Sequence, residues 1–417
     1  MRKLEIIQAA FETWGAGGYR TTSLSALADA LGVSKAALYH HFGSKDAILG
    51  AMYDMFFDSL GDSLRPLFKK ATGRAENGAS KTEILEYVLL INNKITEFFA
   101  KNPWYFVFSL IKVHGNTESG LNVSTRLREQ GLDFEKIRQV EANFGEVNAY
   151  PPLFQLILSC SLCIVAHSMK LLWAEGRLET DVSEIRGKVD GFVRRGVGFR
   201  RENIDSLDWE TLERAALWRE TGGGGGRRRW LIKAVASAVA AAGPWAVSMS
   251  MVAKKTGLSK SGLYAHFAGK RDMLRQLFLE EFDGIVQYAQ AVSKKSAVPE
   301  EQLYLAIRAV EGFLTSEPEF LAAISSLKTR RIDFGMDSIG EIVKDREDCH
   351  SRFFQVFSEI KNTSGETLID ETTGGVVLFL LIDMLVRKPD SMDYKAIPNE
   401  SFRSLYRFIA LGTDGAS

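Results

Sequence analysis

Residues 32–49 read GVSKAALYHHFGSKDAIL, and residues 257–274 read GLSKSGLYAHFAGKRDML; nine of the eighteen positions are identical. A segment that recurs within one chain marks a repeated structural unit, and it constrains the fold more than any other feature. The offset of 225 holds upstream without a gap. Ile7, Ala10, Phe11 and Trp14 align with Ile232, Val235, Ala236 and Val239; Leu24, Leu27, Ala28 and Leu31 align with Met249, Val252, Ala253 and Thr256. Each set follows i, i+3, i+4, i+7, the spacing of one buried helix face. Gly18 aligns with Gly243 and predicts a C-terminal stop for the first helix of each copy. Further on, AKNPWYFVFSLIKV resembles TSEPEFLAAISSLK at an offset of 215, and KVDGFVRRGVG (188–198) resembles FRSLYRFIALG (402–412).

A chain of 417 residues exceeds what a single core normally spans. With 46% apolar and 25% charged residues, both copies can fill a core. Most of the sequence reads as amphipathic helix, broken at ATGRAENGAS, KNPW, AYPP and KPDSMD, and alternating strand patterns are scarce. The expected fold class is all-α. Between the copies lie a charged helix, DWETLERAALWRE, and a hinge, TGGGGGRRRW. Five glycines behave as flexible coil spanning about 12 Å, from roughly 5–6 Å × √n.

Three widely spread cysteines make no disulfide framework and suit a reducing compartment. The start, MRKLEIIQAAFETWG, lacks a signal-peptide pattern. The most apolar run, GGVVLFLLIDMLV, is too short for a bilayer and contains Asp383. The expectation is a cytoplasmic protein with no membrane partner. P-loop, GxGxxG, HExxH and GxSxG patterns are missing, so neither an enzyme nor a cofactor is expected. Cys160, Cys163 and His167 stand at i, i+3, i+7 on one apolar helix. The spacing permits a metal or redox site; the alternative is a buried helix at a pairing surface or pocket wall, and no metal is assigned.

The repeated device itself has helical punctuation. Ser23 can cap a helix over 24–31, Gly32 supplies a tight turn, Ser34 can cap a second helix over 35–41, and Ser44 a third. Two short helices joined by a Gly-containing turn make a helix-turn-helix, whose second helix enters the DNA major groove. The run of Thr-rich start, LAxxLGVSKxxLYHHFxSKxxLL pattern and following helix resembles the head of the TetR family of bacterial regulators, over about 3–50 and again over 228–275.

That resemblance implies two tandem TetR-like repeats, each a three-helix helix-turn-helix head on a helical ligand-binding and dimerisation body. The boundaries it implies are head 1 at 1–50, body 1 at 51–205, linker helix and pentaglycine hinge at 206–226, head 2 at 227–275 and body 2 at 276–417. It implies DNA-contacting positions at Ser23, Ser34, Lys35, Ala36, Ala37, Tyr39, His40 and Lys45. In the second copy these are Ser248, Ser259, Lys260, Ser261, Gly262, Tyr264, Ala265 and Lys270. Lys35, Ala36, Ala37 and His40 (Lys260, Ser261, Gly262 and Ala265) would face bases. Tyr39 and Lys45 (Tyr264 and Lys270) would face phosphates, which fix register. Leu38 and Phe42 are expected in the core of the head. Arg227, Arg228 and Arg229 stand where a DNA-reaching N-terminal arm would be.

Charge is unevenly placed under a formal net charge of zero: residues 227–275 hold ten Lys/Arg and one acid, whereas residues 2–50 hold five Lys/Arg and four acids. A basic head on an acidic body suits phosphate binding by counterion release. In body 1, NPWYFVFSLIKVH is rich in aromatics. They are either core or the lining of an effector pocket with Trp104, Tyr105, Phe108 and His114. The partners implied are double-stranded operator DNA, a small and largely apolar effector, and the other repeat, paired within the chain. The function implied is a one-chain repressor, a pseudo-dimer released from DNA by its effector. The alternative is a sensor or interaction protein whose second head no longer reads DNA, working as a homodimer through repeat 1.

Overall fold

Among the described residues, helix follows the predicted periodicity. The computed structural model describes residues 3–17, 23–76, 78, 80–109, 113, 122–142, 153–174, 181–217, 226–329, 354–361, 365, 367–386 and 396–415. Among these there is no strand, only an isolated antiparallel bridge between Lys361 and Thr367. The chain divides into two units, one mainly Met1–Asn148 with Pro152–Asp190, the other mainly Gly191–Lys328 with Lys344–Ser417.

The first unit opens with head 1: α1 (Lys3–Gly17), α2 (Leu24–Ala30) and α3 (Lys35–His41). Ile7, Ala10, Phe11 and Trp14 are buried, as are Leu24, Leu27, Ala28 and Leu38, while Leu31, the last residue of the second predicted face, is half-buried. Phe42 is only half-buried and has the Lys3 ammonium 5.6 Å from its ring centre. Gly18 lies outside the described residues. Beneath the head run α4 (Lys45–Glu76), α5 (Lys81–Lys101), α6 (Pro103–Phe108), α7 (Val123–Glu129), α8 (Phe134–Ala142), α9 (Leu153–Ala174) and α10 (Val182–Arg195). A capping box of Ser80 and Glu83 starts α5 by satisfying two backbone N–H groups that the first turn would leave open. Helix α5 is the centre of body 1, packed on both α4 and α9. Asn92 on α5 donates to the Ser161 hydroxyl on α9 at 2.8 Å inside this core. Cys160, one residue along, is fully buried, and burial holds its thiol well above the ordinary range.

The second unit begins within α10, at Gly191, and continues through α11 (Arg201–Asp205) and α12 (Trp209–Ala216). Head 2 follows as α13 (Arg227–Ala246), α14 (Met249–Thr256) and α15 (Lys260–Tyr264). Body 2 consists of α16 (Lys270–Ser293), α17 (Pro299–Ser316), α18 (Pro318–Thr329), α19 (Glu371–Leu385) and α20 (Asn399–Leu411). Ile232, Val235, Ala236 and Val239 are buried, and so are Met249, Val252, Ala253 and Thr256. Gly243 interrupts α13 at φ +77, the stop the repeat predicts there.

Residues 209–216, within the stretch expected as a linker helix, form a helix that is docked on body 2. Helix α12 packs on α17. Leu212 and Ala216 are buried. The Trp209 ring meets Tyr304 at 5.4 Å and Tyr406 at 6.0 Å, and Glu213 pairs with Arg403 at 2.8 Å. The charges of the helix lie outward and along one seam, while its apolar stripe faces body 2. Gly222–Gly225 of the expected hinge lie outside the described residues, and Gly226 directly precedes α13.

Still within the second unit, the end of α10 meets the end of α20 in a reciprocal contact. The Val197 amide donates to the Ile409 carbonyl at 2.8 Å, and the Thr413 amide donates to the Val193 carbonyl at 2.8 Å. Asp414 N–H donates to Arg194 O at 3.0 Å and Phe199 N–H to Ala410 O at 3.2 Å. Phe192 and Phe408 stack edge-on at 6.3 Å. Shifting 193 and 197 by 216 gives 409 and 413, so each strong bond is the image of the other. This register pairs Gly196 with Gly412, two residues from the Gly198–Gly412 match that the sequence suggests. Both glycines have φ near +60 (57 and 64), and a Cβ on either would fall inside 3.0 Å of the opposite backbone.

Candidate nucleic-acid interface and the cavity beneath it

The two heads are punctuated alike. Ser23 and Ser248 accept from the backbone N–H groups of Ala26 and Met251, and Ser34 and Ser259 from those of Ala37 and Gly262. Each serine satisfies an amide that a first helical turn would leave open. Gly32 and Gly257 make the intervening turn at φ +65 and +66. These devices set the start of the second helix, and so the direction of its exposed face.

On α3, Lys35, Ala36, Tyr39 and His40 are exposed and Ala37 is half-buried, while Leu38 faces inward. The residues expected to meet DNA therefore share one outer surface. Tyr39 and Tyr264 are each 48% exposed. Lys45 is half-buried, its ammonium 5.1 Å from the centre of the Trp14 ring, which orients the charge at the foot of α4. Its counterpart Lys270 is also half-buried, and burial lowers its pKa.

The second head departs in detail. Helix α15 spans five residues against seven in α3. Lys260, Ser261 and Ala265 are exposed and Gly262 is half-buried. The Ser261 hydroxyl lies 3.0 Å from that of Ser259, inside the cap. Arg227–Arg229 form the first turn of α13 rather than the extended arm expected there. Arg228 pairs with Glu280 and Gln276 and lies over the Phe267 ring at 5.2 Å, the place Lys3 takes over Phe42 in head 1. Arg229 binds Glu281 at 2.8 Å and Glu317 at 2.7 Å, and Lys233 binds Glu317 at 3.1 Å. Arg227 stays exposed.

This ion cluster ties head 2 to body 2. Glu281 is 1% exposed; burial pushes its carboxyl up to about 7, against the opposing pull of Arg229. A carboxyl raised from 4.5 binds its proton more tightly in the folded state. Its contribution to stability is therefore full below pH 4.5 and is lost as pH rises to about 7. The second unit should lose stability across that window with a slope of up to about 1.4 kcal/mol per pH unit. Urea titrations from pH 4.5 to 7.5 should show this slope in the native chain and a flatter profile in Glu281→Gln.

Head 1 is tied to body 1 by rings instead. Phe11 of α1 meets Tyr105 at 4.6 Å and Phe108 at 5.1 Å, and Phe108 meets Tyr53 at 5.0 Å and Phe56 at 5.6 Å. The Trp104 ring lies against Gly15, so close that a Cβ there would come within 2.7 Å of it. Trp104, Tyr105 and Phe108, which one sequence alternative places in an effector pocket, form the joint under the head; they are not among the residues that line the cavity described next, and His114 lies outside the described residues. The cavity is one layer deeper, about 290 Å³, walled by Phe57, Leu60, Ile95, Phe99, Phe134 and Leu158 among others, with Arg138 and Gln155 as its polar groups. Phe56 belongs to both: it lines the cavity and touches Phe108 and Tyr105. Its counterpart in repeat 2, at the same offset of 225, is Glu281. Repetition alone does not reveal that exchange, because it lies beyond the matched heads.

The sequence signature of "Bacterial regulatory proteins, tetR family" matches residues 6–52 and again residues 231–277. No curated protein matches the chain. Among solved structures, the TetR family transcriptional regulator PfmR from Thermus thermophilus is similar at 22% identity, over 45% of this chain and 97% of its own, with a TM-score of 0.30. The transcriptional regulator FadR from Bacillus subtilis, in complex with stearoyl-CoA, is similar at 16% identity, over 46% of this chain and 97% of its own, with a TM-score of 0.29. No helix among the described residues is long and apolar enough to cross a membrane. With two matched heads, each built as a capped helix-turn-helix, the chain carries the DNA-binding head of the TetR family twice in tandem.

Proposed function

We propose that the chain is a one-molecule repressor in which the two repeats pair as a pseudo-dimer on operator DNA and an apolar effector releases them. The observation that carries this reading is the reciprocal contact of Val193–Val197 with Ile409–Thr413. A two-fold interface is self-complementary, so residue i meets j while j meets i. Here that signature occurs between equivalent segments of one chain. Docking of α12 on α17 supports the same reading, because it keeps the end of repeat 1 on body 2 and raises the local concentration of one repeat near the other.

The cavity supplies the switch in this reading. An apolar ligand in body 1 would press on Phe56, and Phe56 contacts the ring joint that holds α1. A ligand shifts the equilibrium only as far as it prefers one joint arrangement over the other. Repeat 2 has the Glu281 cluster at that place, a fixed tie instead of a ring joint, so a single sensing body is expected. Lys35, Tyr39, His40 and Lys45 carry the contacts of head 1 in this reading, with Ser23 and Ser34 holding the frame; Tyr264, Lys260 and Lys270 are their counterparts.

Titrating binding against salt tests the assignment. Tyr39→Phe with Lys45→Ala should weaken binding alike on all sequences and reduce the salt slope by about 1. Lys35→Ala should instead cost about 1–3 kcal/mol on the preferred site and relax preference there. Equal behaviour of the two variants would contradict the division into phosphate and base contacts.

A further inference from the structure

We infer that the two heads divide the work: head 1 reads sequence, and head 2 grips the phosphate backbone with little regard to sequence. This rests on the proposed operator binding and adds a separate role for each head.

The first ground is the reading face. Where α3 offers Lys35 and His40 on its outer side, α15 offers Lys260 and Ala265. Ser261 is drawn into the cap of its own helix, and Gly262 has no side chain. A base edge is recognised by placed donors, acceptors and apolar groups. Lys260 is the one long side chain left on that face, without the second placed donor that His40 supplies beside Lys35 in head 1.

The second ground is charge. Arg228, Arg229 and Lys233 are engaged by Glu280, Glu281 and Glu317, all outside 227–275, a window whose formal excess is nine. That excess still stands against one in head 1. Arg227, Lys254, Lys255, Lys260, Arg271 and Arg275 are exposed. The equivalent of Lys254 in head 1 is Asp29, and the equivalent of Arg271 is Asp46. Two positions flanking the reading helix therefore change sign between the heads. Tyr264 keeps the exposure of Tyr39, so the phosphate-facing group is retained where three of the four base-facing groups change. Counterion release by such a surface is strong and independent of sequence.

The test uses the full chain in selection from random DNA, followed by salt titration on the selected site. The expected motif has one informative half-site and, one helical turn away, a half that is protected from cleavage but carries no base preference. Replacing Lys254, Lys255, Arg271 and Arg275 together with alanine should leave the selected motif unchanged and lower the salt slope by about 3–4. Conversely, the triple variant Ser261→Ala, Gly262→Ala, Ala265→His should add base preference in the second half; circular dichroism would confirm that both variants keep their helix. Two half-sites of equal information in the native chain, or a motif altered by the four alanines, would overturn the division of labour. An informative single half-site with no protection beside it would do so too, while sparing sequence reading by head 1. Failure of the chain to select any motif would overturn the operator reading itself.

Discussion

Gly412→Ala is expected to destabilise the second unit by about 3–5 kcal/mol, at the upper end for a single substitution. Two effects combine. At φ +64 a left-handed residue with a Cβ costs roughly 1–2 kcal/mol. The new methyl would also fall inside 3.0 Å of the Arg194 backbone, which has no flexible end to move aside. The two helix ends must then separate, and the amides of Thr413 and Asp414 would lose their acceptors, Val193 and Arg194. Gly196→Ala should behave in the same way, since its Cβ meets the Ile409 carbonyl. Gly198→Ala is the control: its φ is +85 but it has open space, so only the backbone cost of about 1–2 kcal/mol applies. Urea unfolding followed by far-ultraviolet circular dichroism separates these cases. Equal losses for Gly412→Ala and Gly198→Ala would show that the reciprocal contact contributes nothing.

Phe56→Ala should cost about 3–5 kcal/mol in the first unit, the range for deleting a buried ring. Phe56 is 1% exposed, and its ring faces Phe57, Phe98, Phe99, Tyr105 and Phe108. The loss would also enlarge the cavity and cut its contact with the head joint. A compound found by thermal shift to stabilise the native chain and weaken DNA binding should still stabilise the variant, yet release DNA less. Phe68→Ala, a buried ring packed on Phe134 away from the joint, should lose comparable stability and keep the release. Release unaffected by Phe56→Ala would remove that residue from the switch.

Some features were plain in the sequence because they are local. A serine before a helix, a glycine in a turn and apolar residues at helical spacing state their own geometry, and both heads follow from them. Ser34, Gly32 and Leu38 take the places their chemistry demands. The joint and cavity were not legible in the same way. Periodicity marks an aromatic as inward-facing without naming what it faces, so Trp104, Tyr105 and Phe108 could not be told from cavity lining. Phe56 sits on a long helix whose pattern fits any partner. The three arginines before Trp230 read as a free arm, because Glu280, Glu281 and Glu317, which engage Arg228, Arg229 and Lys233, lie about 50 to 90 residues away. The segments that hold Gly196 and Gly412 are visible as a weak repeat that aligns Gly198 with Gly412, but the true register depends on which carbonyl each glycine approaches, and that is a property of the fold.

The stoichiometry of the DNA complex tests the central claim most directly. A pseudo-dimer needs one chain for two adjacent half-sites. Sedimentation of the protein on a duplex carrying its selected site should give one chain of 46.4 kDa per duplex at saturation, with no second chain added at tenfold higher protein. Two chains bound per site, joined through their first repeats, would contradict it.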